Sequence, residues 1–143
     1  MSWNPVFVVR ELLDSVGYSL PSGSGPYIFV GYVPQDTPVP YVRVVSITGT
    51  HREHMQGPAG SAQSRLQVDW WDTDAERLNY ITESARHKRS GLRGTIDIQG
   101  ESFEVRRLHC EETTYDGEPQ NDASGVPIYQ CQQEWRLDYV EQT

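Results

Sequence analysis

His51 and His54, three residues apart in the run Gly49-Thr-His-Arg-Glu-His-Met-Gln-Gly-Pro-Ala-Gly-Ser61, are the side chains of this sequence that come nearest to metal or general-base chemistry. With further ligands they would make a small zinc-dependent hydrolase, in which the metal activates a water. Two imidazoles fall short of the three or four ligands such a site uses, and Arg52 between them opposes a cation. Their structural reading is a pair of solvent-exposed loop histidines. Asp69, Asp72 and Asp74 suggest a carboxylate cluster for magnesium, yet they straddle a strand end and a helix start, where Asp72 and Asp74 serve as caps without any ion. His109 and Cys110 are neighbours in a strand-like run, so they point to opposite faces and cannot act as base and nucleophile together. No nucleophile elbow, phosphate-binding loop or dinucleotide glycine pattern occurs. The expectation is therefore a protein that is not an enzyme and has no catalytic, cofactor or metal site. A small metal-dependent hydrolase and a monomeric binding module are the rival readings.

Two other groups bear on partners. Arg86, His87, Lys88 and Arg89, with Arg93, could contact phosphate, but the end of a helix favours cations in any case. Trp3, Trp71 and Tyr115, if exposed, point to a protein interface, where large aromatics that alternate away from a core face often sit; the alternative is that they pack beneath the helices. Twelve Lys and Arg against twenty Asp and Glu give a formal net charge of −8. That balance argues against a protein that grips nucleic-acid phosphates. Hydrophobic content of 36% with four Trp and eight Tyr describes a folded domain. The 143 residues fit a single domain spanning 1–143. The first ten residues carry no basic leader, and no run approaches a membrane span, so the chain is expected to be cytosolic when made.

The elements that must position these residues are read from periodicity. Val6, Val9, Leu12, Leu13 and Val16 recur at helical spacing after Pro5, with Ser2 or Asn4 as cap and Gly17 as stop. Residues 27–33 read as a strand, followed by an extended proline-rich bend over 34–40. The runs Tyr41-Val-Arg-Val-Val-Ser-Ile-Thr48 and Ala62-Gln-Ser-Arg-Leu-Gln-Val-Asp-Trp-Trp71 are rich in β-branched and aromatic residues and read as strands. Leu66, Val68 and Trp70 share the core face of the second. Between these runs lie roughly a dozen polar residues, more than a tight hairpin needs, so 49–61 is expected to be a long loop, of a length that is usually functional or disordered. A helix follows, begun by Asp72 or Asp74 and carrying an apolar stripe of Leu78, Ile81, Ala85 and Leu92. Residues 95–98 and 103–110 form a hairpin, with a β-bulge at Arg106 and Arg107 to reconcile Phe103 and Val105 with Leu108 and Cys110. A second polar loop over 118–127 leads to a last strand with Tyr129, Cys131, Trp135, Leu137 and Tyr139 on one face. A turn centred on Gln120 and Asn121 would set Cys110 opposite Cys131, as two reduced core thiols. The fold class is α+β: a mostly antiparallel sheet of five to six strands packed against two helices on one face.

The runs Tyr32-Val-Pro-Gln-Asp-Thr-Pro-Val-Pro-Tyr-Val42, Met55-Gln-Gly-Pro-Ala-Gly60 and Arg65-Leu-Gln-Val-Asp-Trp-Trp71, leading into the Asp74-Ala-Glu helix, resemble the tail-completion proteins of long-tailed bacteriophages, also called tail-terminator or tail-to-head joining proteins. The resemblance extends from the first helix to the closing Trp135-Arg-Leu-Asp-Tyr139 strand. It implies a non-enzymatic subunit of a homohexameric ring in the virion neck, assembled in the host cytoplasm. Such a ring caps the tail tube, ends its polymerisation and joins the tail to the head-tail connector protein. Its partners would be further copies of itself, the tail tube protein and the connector. DNA would pass through the lumen without specific binding, and no membrane would be involved. The projecting segments then become the expected interface: His51, Arg52, Glu53, His54, Met55, Gln56, Gly57 and Pro58 in the first loop, with Trp71. The second loop contributes Tyr115, Glu118, Asn121 and Asp122.

Overall fold

The computed structural model describes residues 5–14, 27–34, 39–54, 57–98, 100–115, 120–121 and 125–140. It contains helix α1 (Pro5–Asp14), strands β1 (Tyr27–Val30), β2 (Tyr41–His54) and β3 (Gly57–Asp72), helix α2 (Ala75–Arg89), then β4 (Leu92–Ile98), β5 (Glu101–Tyr115), β6 (Gln120–Asn121) and β7 (Pro127–Val140). The sheet order is β1-β2-β3-β7-β5-β4, with the short β6 paired to β7. Only β1 and β2 run parallel, and the other pairings are antiparallel. The α+β expectation holds, and among the described residues no helix is long and apolar enough to cross a membrane.

The period-two pattern decides which side of the sheet is core. Cross-strand partners share a face. Val42 and Val44 lie opposite Trp70 and Val68, which in turn lie opposite Cys131 and Gln133. All six side chains are fully buried. Phe103, Val105, Leu108 and Cys110 of β5 extend this face. Val6, Val8, Val9 and Leu13 of α1 and Leu78, Ile81 and Ala85 of α2 cover it, so strands and helices contribute to one apolar cluster.

The bulge expected at the two arginines is present, as a register shift between Val105 and Arg107. Both arginines are exposed while Phe103, Val105, Leu108 and Cys110 are all buried. Four sequence expectations are corrected. Most of 49–61 is not loop: β2 continues to His54 and β3 begins at Gly57. The residues there are mostly polar, and a polar strand loses the alternation by which strands are recognised. Leu92 belongs to β4 rather than the α2 stripe. The helix stops at the cap Ser90, and Gly91, at φ +92°, turns the chain so that its N–H meets the Leu108 carbonyl. β1 ends at Val30 rather than running to residue 33. Finally, Cys110 pairs with Trp135 and Cys131 with Tyr115, because β5 runs on to Tyr115 and the connection to β7 is centred later than Gln120 and Asn121. Both thiols are nonetheless buried and unbonded. Ser2, Asn4, Val16, Gly17, most of the 34–40 bend and much of the 118–127 loop lie outside the described residues.

Candidate assembly interface

The β2–β3 pair is the longest ribbon of the fold and outruns its neighbours. It pairs from Tyr41 with Trp71 to His54 with Gly57, with register shifts between Ser46 and Thr48 and between His51 and Glu53. On one side β1 supports only Tyr41 to Val44. On the other, the β3–β7 ladder ends where Ser61 meets Val140. The pairs Glu53 with Pro58 and His54 with Gly57 therefore extend past both flanking ladders as a two-stranded tip. Such a ribbon is marginal in water by itself. Pro58 lacks an N–H and suits an edge. This tip carries His51, Arg52, Glu53 and His54 on β2 and Gly57 and Pro58 on β3, whereas Met55 and Gln56 between them lie outside the described residues.

Trp71 sits at the opposite end of the same ribbon, on the sheet face away from the helices. Its ring lies 4.9 Å from that of Tyr41, with the Arg43 guanidinium 5.5 Å above it, and Phe29 meets Tyr41 edge-on at 6.4 Å. Burial raises the Tyr41 phenol above its ordinary pKa, against the opposing effect of Arg43. Arg43 pairs at 2.7 Å with Asp69, whose carboxylate has no exposed surface and also accepts from Gln67 at 3.0 and 3.1 Å. Further along this face Arg65 bridges Glu111 at 3.3 Å and Glu134 at 2.6 Å, and Arg136 reaches Glu111 at 3.3 Å. Charges from β3, β5 and β7 are thus interlocked on a solvent-facing sheet surface. Trp71 is half-buried in an aromatic-cationic stack rather than standing free.

Tyr115 is partly committed as well. Its hydroxyl lies 2.7 Å from Thr82 Oγ1 on α2, though 39% of the residue remains exposed. Thr82 Oγ1 also donates to the Leu78 carbonyl at 2.8 Å. Burial pushes the Tyr115 phenol and the Cys110 thiol upward, and the Cys131 thiol to about 12. Both cysteines are therefore neutral, unreactive core groups at ordinary pH. Asn121 lies in β6, facing Pro127 of β7, while Glu118 and Asp122 lie outside the described residues. The sheet thus brings Trp71 near one end of the ribbon and Tyr115 onto α2, and separates both from the ribbon tip.

The acidic trio does not converge. Asp69 serves Arg43, Asp72 takes a two-point grip from Arg77 at 2.6 and 2.8 Å, and Asp74 caps α2 by accepting from the Glu76 and Arg77 N–H groups. Among the described residues no three His, Cys, Asp or Glu side chains gather as metal ligands. His87 Nε2 lies 3.8 Å from Glu83 Oε2, and His109 lies beside Ser90. Sequence reasoning missed Gln133 on the core face. Its only signal was a polar residue at an inward position of a strand otherwise apolar there.

Comparison with protein-family models finds no match, and comparison with curated proteins finds none. Solved structures do match. A chain from the virion of a native gene transfer agent (GTA) particle superposes with a TM-score of 0.57 at 8% identity, covering 90% of this chain and 84% of that chain. At that identity the likeness shows a shared fold.

Proposed function

We propose that this chain is a structural, non-enzymatic subunit of a phage-like virion. In the finer reading it forms a homohexameric ring at the neck, which caps the tail tube, ends its polymerisation and joins the tail to the head connector. The observation that carries the proposal is the fold it shares, over 90% of its length, with a chain of a gene transfer agent virion. The β2–β3 ribbon supports it, because a subunit that joins two other rings needs a segment reaching beyond its own core. In this reading the ribbon tip, from His51 to Pro58, docks on the tail tube or the adjoining ring. Trp71 and the Tyr115 to Asp122 region contribute further contact surface. The acidic excess suits a lumen through which DNA slides without adhering.

The test is solution mass over a concentration series, with electron microscopy of any large species, alone and with purified tail tubes. Hexameric rings, free or on tube ends, are the expected outcome. A chain that remains monomeric and leaves tubes uncapped would sink the proposal. Deleting residues 53–59 provides the second arm: tail joining should be lost while the folded domain persists. Joining that survives the deletion removes the ribbon tip from the mechanism.

A further inference from the structure

Three arginines meet at the bulge of the β4–β5 hairpin. Leu92 pairs with Leu108 and Gly94 with Val105, which leaves Arg93 facing Arg106 and Arg107 across the ladder. All three are exposed. The ion pairs of the described residues use Arg10, Arg43, Arg65, Arg77, Arg86 and Arg136, and none reaches this trio. Asp138, opposite Arg107 on β7, is already engaged by Gln63 at 2.9 Å and Arg136 at 3.6 Å. Like charges facing one another across a ladder are destabilising, and bulges commonly re-aim side chains toward a partner. Three un-neutralised guanidinium groups in a chain of net charge −8 are thus an arrangement that an anionic partner would relieve.

Resting on the ring reading above, we infer that this arginine cluster is one half of the contact between neighbouring copies, and that the surface around Glu112, on the far half of β5, is the other half. The complement lies in the chain itself. Between Arg107 and Arg136 there is no Lys or Arg, but there are six Asp and Glu residues. Of these, Glu111 and Glu134 are taken up by Arg65 and Arg136, whereas Glu112, exposed and opposite Glu134, is reached by none of the ion pairs of the described residues. Arg107 and Glu112 lie on one extended strand, about 16 Å apart at roughly 3.3 Å per residue, so one molecule cannot join them. A head-to-tail interface needs two unlike patches on the same subunit, which is what closes a ring. Guanidinium forks match carboxylates in two-point geometry. A polynucleotide would meet the repulsion of the remaining acidic surface, which favours the second copy as occupant.

The test compares self-association of the full chain, by sedimentation at low and high salt, with three variants: Arg106→Glu with Arg107→Glu, Glu112→Lys, and all three changes together. Tail tubes are added where the wild type assembles only on them. The first two should each weaken assembly roughly tenfold or more at low salt, and the combined swap should recover much of the loss. Recovery in the triple variant separates a lost contact from a lost fold. If the wild type assembles and the reversals leave it unchanged, or the swap fails to restore it, this contact is wrong while the ring reading stands. If the wild type never assembles, even on tubes, the ring reading fails and takes the contact with it. If the reversals spare assembly but abolish retention of duplex DNA, the cluster is a phosphate site and the inference is overturned.

Discussion

Gln133 is fully buried on the core face of β7 because both ends of its amide are used. Its Oε1 accepts from the indole N–H of Trp70 at 3.0 Å and of Trp135 at 3.1 Å, and its Nε2 donates to the Thr82 carbonyl at 3.0 Å. One residue thereby ties two fully buried tryptophans to helix α2. Gln133→Leu keeps the volume but takes this acceptor from both indoles, so denaturant unfolding should show a loss of roughly 2–4 kcal/mol. A loss under about 0.5 kcal/mol would mean the indoles are satisfied elsewhere. Cys131 gives a pH prediction at the same scale. Its folded-state pKa lies above the unfolded value, at about 12 against 9.0, through burial. The stability it contributes is present in full below pH 9.0 and is lost as pH rises toward about 12. Cys110, Tyr41 and Tyr115 shift in the same direction. Cys131→Ala should therefore flatten, without abolishing, the fall in stability on the alkaline side. An alkaline slope identical to the wild type would refute the assignment.

At the scale of elements, the start of α2 shows how two neighbouring aspartates carry different weights. Asp74 is exposed and caps two N–H groups, so Asp74→Ala should cost about 1 kcal/mol. Asp72 is fully buried and held at two points by Arg77. Arg77→Ala strips that charge of its cation and should cost roughly 3–5 kcal/mol. Equal losses for the two substitutions, in the same unfolding assay, would contradict this division. The β2–β3 ribbon is the opposite case. Its tip pairs only within itself, past the ends of the β1–β2 and β3–β7 ladders of the described residues. Removing residues 53–59 should leave the thermal midpoint nearly unchanged, and a large drop would show that the tip supports the fold rather than a partner.

At the scale of the whole molecule, one apolar cluster draws on α1, α2 and all the longer strands. A chain organised in this way should unfold in a single cooperative transition whose calorimetric and van't Hoff enthalpies agree. Two separable transitions would contradict the proposal that 1–143 is one domain. The same view explains why the two faces of the sheet differ. The helices cover one, and the other stays solvent-facing through ion pairs that link three strands.

Alternation and capping are local, and the sequence by itself determined what depends on them. Leu66, Val68 and Trp70 as a core face, the start of α2 among Asp72 to Glu76, the two-arginine bulge and the α+β class were legible because each follows from spacing over a few residues. The tertiary structure alone decided what depends on register between distant strands. Polar residues at 51–58 carry no alternation to betray a strand, so only their cross-strand pairing revealed the ribbon. A turn later than Gln120 and Asn121 set Tyr115, not Cys110, opposite Cys131. Gln133 became a core residue because two indoles and a helix carbonyl, far apart in the chain, converged on it. Arg93 came to face Arg106 and Arg107 only through the ladder between β4 and β5, since hydrogen-bonded register, not sequence distance, sets which charges meet.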